Sequence, residues 1–193
     1  PYGIPNASDF DVLPHLDALN QLSDEHKDKA LEAVWKEIKS LIQLKTFAWD
    51  LQQNVTTELK LKMLMKVKYD ANGQYEKHKA RLVAQGFLQR YGRDYEHTYS
   101  PTVNYSTIRI VLSIAAALGW ILKQADIGNA YCHSDMDKPL WGRLPPGITV
   151  HNHSAPPDSG PYALRINKGL YGTRQGGRLW NELLHRNLTS FGS

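Results

Sequence analysis

The sequence has 193 residues and only one cysteine, Cys132. It can form no internal disulfide framework and no cysteine-rich zinc module, and this composition fits a reducing compartment. No apolar run approaches the ~18–20 residues of a membrane span. The opening stretch PYGIPNASDFDVLPHL has neither the basic start nor the apolar centre of a secretory signal. Gly169, Gly172, Gly176 and Gly177 do not form a dinucleotide fingerprint, and no GK[ST] phosphate loop is present. The chain begins at Pro and breaks off at Phe191-Gly192-Ser193, so it reads as a piece of something longer.

A hydrophobic content of 41% and a charged content of 22% are globular values. The net charge of +4 is unevenly spread. Residues 1–35 hold seven acids against two bases, whereas residues 60–93 hold nine bases against two acids. A local positive surplus of that kind attracts polyanions, nucleic acid first among them, though a solvated surface gives the same pattern.

Residues 1–24 read as a linker or extended arm, and 25–193 as the folded domain. Ser23 before Asp24-Glu25 is helix-start chemistry, and Leu31, Val34, Trp35, Ile38, Leu41 and Ile42 form one helical stripe ending near Lys45. From Leu59 to Tyr69 the period becomes two, with lysines on one face. Asn72-Gly73 is a hairpin turn, and the returning arm puts Lys77, Lys79 and Arg81 on one parity. Such lysines protect an edge strand or bind phosphates.

Asn104 or Ser106 caps a second helix, STIRIVLSIAAALG, ended by Gly119 and apolar nearly all round, which predicts burial between layers. Trp120 to Lys123 then predicts a buried strand with Asp126 at its tip. PLWGRLPPG suggests a hairpin-like piece, 148–161 a polar loop, and 162–166 a strand. The last helix carries Leu179, Trp180, Leu183, Leu184 and Leu188 on one face. Helices and hairpins without βαβ regularity define an α+β class.

The histidines offer little. His151-Asn152-His153 sits in a Pro/Ser-rich stretch without supporting cysteines, and Cys132 beside His133 is poorly placed to act as nucleophile and base. Asp126, in QADIGNAY, is either a strand-ending turn residue or a metal ligand, and its own surroundings leave both open. A basic hairpin, a strand-tip carboxylate and a glycine-rich turn entering a helix would together suit nucleotidyl transfer.

The string HKARLVAQGFLQRYGRDYEHTYSPTVNYSTIRIVLSIAAALGWILKQADIGNAYCHSDM resembles the reverse transcriptase of copia-type LTR retrotransposons. LPPGI and NKGLYGTRQGGRLW are similar to later motifs of that family, and AVWKEIKSL and MKVKYDANG to its opening segments. The likeness runs in the family's order from about residue 28 to the end. It implies reverse-transcriptase-like fingers plus a partial palm, truncated before the second catalytic motif, a Tyr-x-Asp-Asp hairpin.

Asp126 matches the first catalytic aspartate, with the Ile127 carbonyl as a further Mg²⁺ contact. Lys79 and Arg81 match cations that bind the triphosphate. Tyr131 matches the aromatic that disfavours a 2′-hydroxyl. Tyr171, Gly172, Arg174 and Gln175 match the turn that supports the nascent base pair and template. The implied partners are an RNA or DNA template with primer, deoxynucleoside triphosphates and the rest of a Pol polyprotein, with no membrane. The implied setting is a cytoplasmic virus-like particle, with a nuclear stage open.

Four positions depart from the family pattern. Gly176-Gly177 replaces Ala-Pro, Ser134 a glycine and Met63 a tryptophan. Glycine at 177 should loosen the start of the last helix. The alternative reading is a non-catalytic nucleic-acid-binding remnant of a decayed element.

Overall fold

Successive side chains of a strand leave opposite faces, so the Lys/apolar alternation of 59–69 builds a two-sided hairpin. In the computed structural model, which describes residues 3–12, 19, 24–151 and 161–190, the elements run as follows. They are β1 (Phe10–Val12), α1 (Asp24–Gln43), β2 (Phe47–Leu51), β3 (Glu58–Tyr69) and β4 (Tyr75–Ala84). Then come α2 (Tyr105–Ala117), β5 (Asp135–Arg143), β6 (Ile148–Val150), β7 (Tyr162–Lys168) and α3 (Gly176–Ser190). Among the described residues no helix is long and apolar enough to cross a membrane.

The β3–β4 hairpin turns where the sequence predicts. Gly73 takes φ 77°, and Asp70 Oδ1 accepts from the Asn72 and Gln74 amides at 2.9 Å each. Lys66 stands opposite Lys79 and Lys68 opposite Lys77, so the exposed lysines of both arms and Arg81 share one face. The other face buries Leu61, Met63, Ala80 and Leu82 against Val34, Ile38 and Leu41 of α1. The main sheet has the order β2-β7-β5-β3-β4, antiparallel except at β5–β3, which leaves β4 as an edge. β1 pairs with β6 in a separate ribbon.

Four expectations are corrected. PLWGRLPPG is no hairpin: β5 joins β7 and β3, whereas β6 pairs with β1. Pro145 and Pro146 lack the amides needed to continue a ladder between them. The second helix forms, with Asn104 Oδ1 accepting from the Ser106 amide at 3.0 Å and Gly119 at φ 64° behind it. Yet it buries only Ala115, and Ile110, Val111, Leu112 and Ile114 stay exposed. A helix apolar all round predicts two covering layers, and the described residues do not supply them.

Residues 120–127 are not a strand, and Ile121 is 88% exposed. A strand exists through a neighbour's amides and carbonyls, and no described strand lies beside this segment. Finally, Leu179 is buried and Trp180, Leu183 and Leu184 are half-buried, but Leu188 faces solvent. Ser23, Asn152, His153 and most of the 148–161 loop lie outside the described residues.

Candidate active-site groove

Asp126 and Ile127 stand at the end of the exposed segment that follows α2 and line an open groove of about 820 Å³. The basic hairpin contributes Lys68, Lys77, His78 and Lys79 to the lining, and α1 contributes Lys36, Glu37 and Ser40. Lys79 therefore shares a cavity with Asp126. Desolvation, then the Arg81 and Lys68 charges, lower the Lys79 pKa, while Asp126 and Glu37 pull it back up. The groove thus brings lysines and a carboxylate together.

Arg81, two residues along the same strand face, packs its guanidinium 4.8 Å from the centroid of the Tyr171 ring. Tyr171 in turn lies 4.8 Å from Tyr131, ring centroid to centroid, at an interplanar angle of 32°. Three residues distant in sequence thus form one stack beside the groove. The turn carrying Tyr171 is seated on the end of β4 through the Ala84 amide, which donates to the Tyr171 carbonyl at 2.7 Å. Tyr131 meets the start of α3, where a Cβ on Gly176 would lie 3.4 Å from its Cδ2. α3 begins at Gly176, and Ser100 Oγ donates to the Gly177 carbonyl at 3.1 Å.

Arg174 and Gln175 are engaged by the segment after β4. The Arg174 amide donates to Gln89 Oε1 at 2.8 Å, and its Nε to the Gly86 carbonyl at 3.2 Å. Gln175 is fully buried, accepting from Gln89 Nε2 at 2.9 Å and donating to the Asp94 carbonyl at 3.0 Å. These bonds tie the 170–175 turn to the segment after β4.

Asp94 secures that segment. It accepts from Thr57 Oγ1 at 2.7 Å, the Arg90 amide at 2.8 Å and Arg93 at 2.7 and 2.9 Å. Burial opposes its charge, but the Arg93, Arg90 and Thr57 donors win and bring the carboxyl down to about 2. A folded pKa below the unfolded one stabilises above the unfolded value and is lost as pH falls through the folded one. Between about pH 6 and about pH 2 this single group should remove ~2 kcal/mol of stability. Urea midpoints measured across that range should depend much less on pH in Asp94→Asn; an unchanged pH dependence would exclude Asp94 as the acid-sensitive group.

Some residues at the groove were not singled out from the sequence. Glu37 of α1 is a buried carboxylate lining it, and burial raises its pKa despite hydrogen bonds from the Leu82 amide and the Asn129 side chain. Its place in the helical stripe reads as one more polar position, and only its partners distinguish it. Cys132 is fully buried, and burial pushes its thiol up to about 11, whereas His133 is exposed. That separation suits a structural thiol, not a nucleophile.

Asp126 and the Ile127 carbonyl offer oxygen donors, the chemistry of a hard cation such as Mg²⁺. No group of three or more His, Cys, Asp or Glu side chains is placed to hold a metal among the described residues. Asp126 and the Ile127 carbonyl are thus oxygen donors without a cluster of further ligands around them among the described residues.

The family described as reverse transcriptase (RNA-dependent DNA polymerase) matches residues 27–192. The chain is 32% identical over 178 residues to a retrovirus-related Pol polyprotein from transposon RE1 of Arabidopsis thaliana, covering 91% of this chain and 11% of that protein. It is 31% identical to the corresponding polyprotein from transposon TNT 1-94 of Nicotiana tabacum, covering 82% and 12%. A Ty1-DR4 Gag-Pol polyprotein of Saccharomyces cerevisiae is 29% identical, at 83% and 9% coverage. The chain thus spans about a tenth of the length of these relatives. No solved structure gives a significant match. With most of its length matched by the family and by such relatives, this chain belongs to the reverse transcriptases of copia-type retrotransposon Pol polyproteins.

Proposed function

We propose that this chain contributes the triphosphate-binding face and the first metal-binding carboxylate of an RNA-directed DNA polymerase. In the complete polyprotein that enzyme would add deoxynucleotides to a primer 3′-OH on an RNA or DNA template. The observation that carries this reading is the groove in which Asp126 faces Lys79, flanked by the Arg81–Tyr171–Tyr131 stack. Asp126 and the Ile127 carbonyl would hold Mg²⁺, which when bound supplies Lewis-acid activation and charge neutralisation at the reacting phosphate. Lys79 and Arg81 neutralise the triphosphate through charge-assisted bonds. Tyr131 sits beneath the sugar and leaves no room for a 2′-oxygen. Tyr171 and Gly172 support the nascent base pair, while the buried Gln175 and the tethered Arg174 hold that turn in place.

Binding of deoxythymidine triphosphate to the chain tests the reading. Arg81→Ala removes one charged donor and should weaken binding by about 10- to 100-fold. Equal affinity in wild type and Arg81→Ala would remove the triphosphate from this face. The second reading, a nucleic-acid-binding remnant, is favoured by the shared basic face of β3 and β4 together with the lone groove aspartate. It predicts salt-dependent duplex binding with no preference for triphosphate.

A further inference from the structure

Asp126 lies in a segment that little else restrains. Among the described residues no backbone hydrogen bond anchors 121–128 to the body apart from the imidazole of His133, 3.2 Å from the Gly128 carbonyl. A carboxylate meant to meet a cation cannot hang on free coil, because a displacement of about 1 Å already degrades such a site. Three residues further on stands Asn129, left-handed at φ 48° and ψ 42°, a conformation asparagine tolerates better than most residues.

The Asn129 side chain reaches across to α1. Its Nδ2 donates to Ser40 Oγ at 2.9 Å, and the amide is also a hydrogen-bond partner of Glu37. Glu37 and Ser40 are three apart on one helix and so present one face. The same Glu37 carboxylate accepts the Leu82 amide of β4 at 3.2 Å. Leu82 follows Arg81 and lies three residues beyond Lys79. One buried acid thus joins the strand that bears the cations to the turn that bears the carboxylate. Glu37 is only 7% exposed, with the Arg81 and Lys79 charges near enough to favour its ionised form but neither in a salt bridge with it among the described residues. A buried carboxylate in that position costs stability compared with an apolar side chain, and the bonds it makes tie two segments together.

We propose that Glu37, Ser40 and Asn129 form a positioning clamp that holds the Asp126 turn in register with the Lys79–Arg81 strand. The clamp rests on the function proposed above and acts through Asn129, and its members line the same groove as Asp126 and Lys79. Asn129→Gly separates conformation from contact, since glycine keeps the left-handed backbone and loses the amide. Ser40→Ala is a milder change on a helix surface.

The test is nuclear magnetic resonance of the ¹⁵N-labelled chain, with Mn²⁺ alone as the paramagnetic probe. In wild type the Asp126, Ile127 and Gly128 amides should be ordered and selectively broadened by Mn²⁺. In Asn129→Gly the same amides should become mobile, and about tenfold more Mn²⁺ should be needed for equal broadening. Ser40→Ala should shift both readouts in the same direction by less. Wild-type order and wild-type Mn²⁺ response in Asn129→Gly, with the fold intact by circular dichroism, would overturn the clamp. Asp126→Asn is the separate control: broadening that survives it would overturn the metal reading in a chain whose clamp is untouched.

Discussion

Asp126→Ala, made in the complete polyprotein, is expected to lower primer extension by about 10³-fold or more. A metal held by a positioned carboxylate stabilises developing charge by several kcal/mol, and each 1.4 kcal/mol is about a factor of ten in rate. Binding of primer–template duplex should be nearly unaffected, because removing one carboxylate leaves the exposed lysines of the β3–β4 face, and with them the attraction for phosphates, unchanged. A loss in kcat with unchanged duplex affinity marks a group that acts in the reaction and not in holding nucleic acid. Retained extension in Asp126→Ala would remove this residue from the site.

The same reasoning applies to the 193-residue chain on its own, which is expected to extend no primer. Two Mg²⁺ ions ~3.5–4 Å apart need several carboxylates between them. Asp135 and Asp137, the nearest acids that follow Asp126 in sequence, are engaged elsewhere. Asp135 pairs with Lys168 at 2.6 Å, and Asp137 pairs with Arg178 and accepts from Gln175. Extension by the isolated chain that disappeared in Asp126→Ala would show that its one groove aspartate suffices.

A second large effect is expected at a residue that has no side chain. Gly172 takes φ 88°, and a Cβ built there would lie 2.1 Å from the Ala84 carbonyl oxygen and 3.2 Å from its amide nitrogen. Neither obstacle is a flexible side chain, so the 170–175 turn would have to leave the end of β4. The left-handed backbone adds ~1 kcal/mol of strain for alanine. Loss of the Ala84–Tyr171 hydrogen bond adds about as much again. Gly172→Ala should therefore destabilise by roughly 2–4 kcal/mol. It should also weaken triphosphate binding, because Tyr171 carries Arg81.

Gly119→Ala provides the comparison. Its φ of 64° imposes similar strain, but nothing lies within 4 Å of the added Cβ, so ~1 kcal/mol is expected. If urea denaturation found the two variants equally destabilised, the close approach to Ala84 would be unimportant.

Local patterning determined much of this protein. The period-two run of 59–69, the Asn72-Gly73 turn and the stripe of α1 each became the element they predict, because neighbouring residues decide which face is wet. The candidate groups Asp126, Lys79, Arg81, Tyr131 and Tyr171 were legible from motif order. Their assembly was not. That Arg81 packs on Tyr171 and Tyr171 on Tyr131 follows from the seating of a turn on β4 some ninety residues away in sequence, a backbone contact that no periodicity encodes.

Tertiary structure also reversed two inferences drawn from hydrophobicity. The apolar α2 and the 120–123 run read as buried, but apolar composition says only that a surface favours cover, not which element supplies it. For the polar residues the reverse holds. Gln175 and Glu37 look like solvent positions in the sequence and are buried, because partners from distant segments satisfy them: Gln89 and Asp94 for one, Leu82 and Asn129 for the other. Side-chain order along the chain determined many of the elements and named the candidate groups. Only the packing of distant segments decided which of those groups face one another.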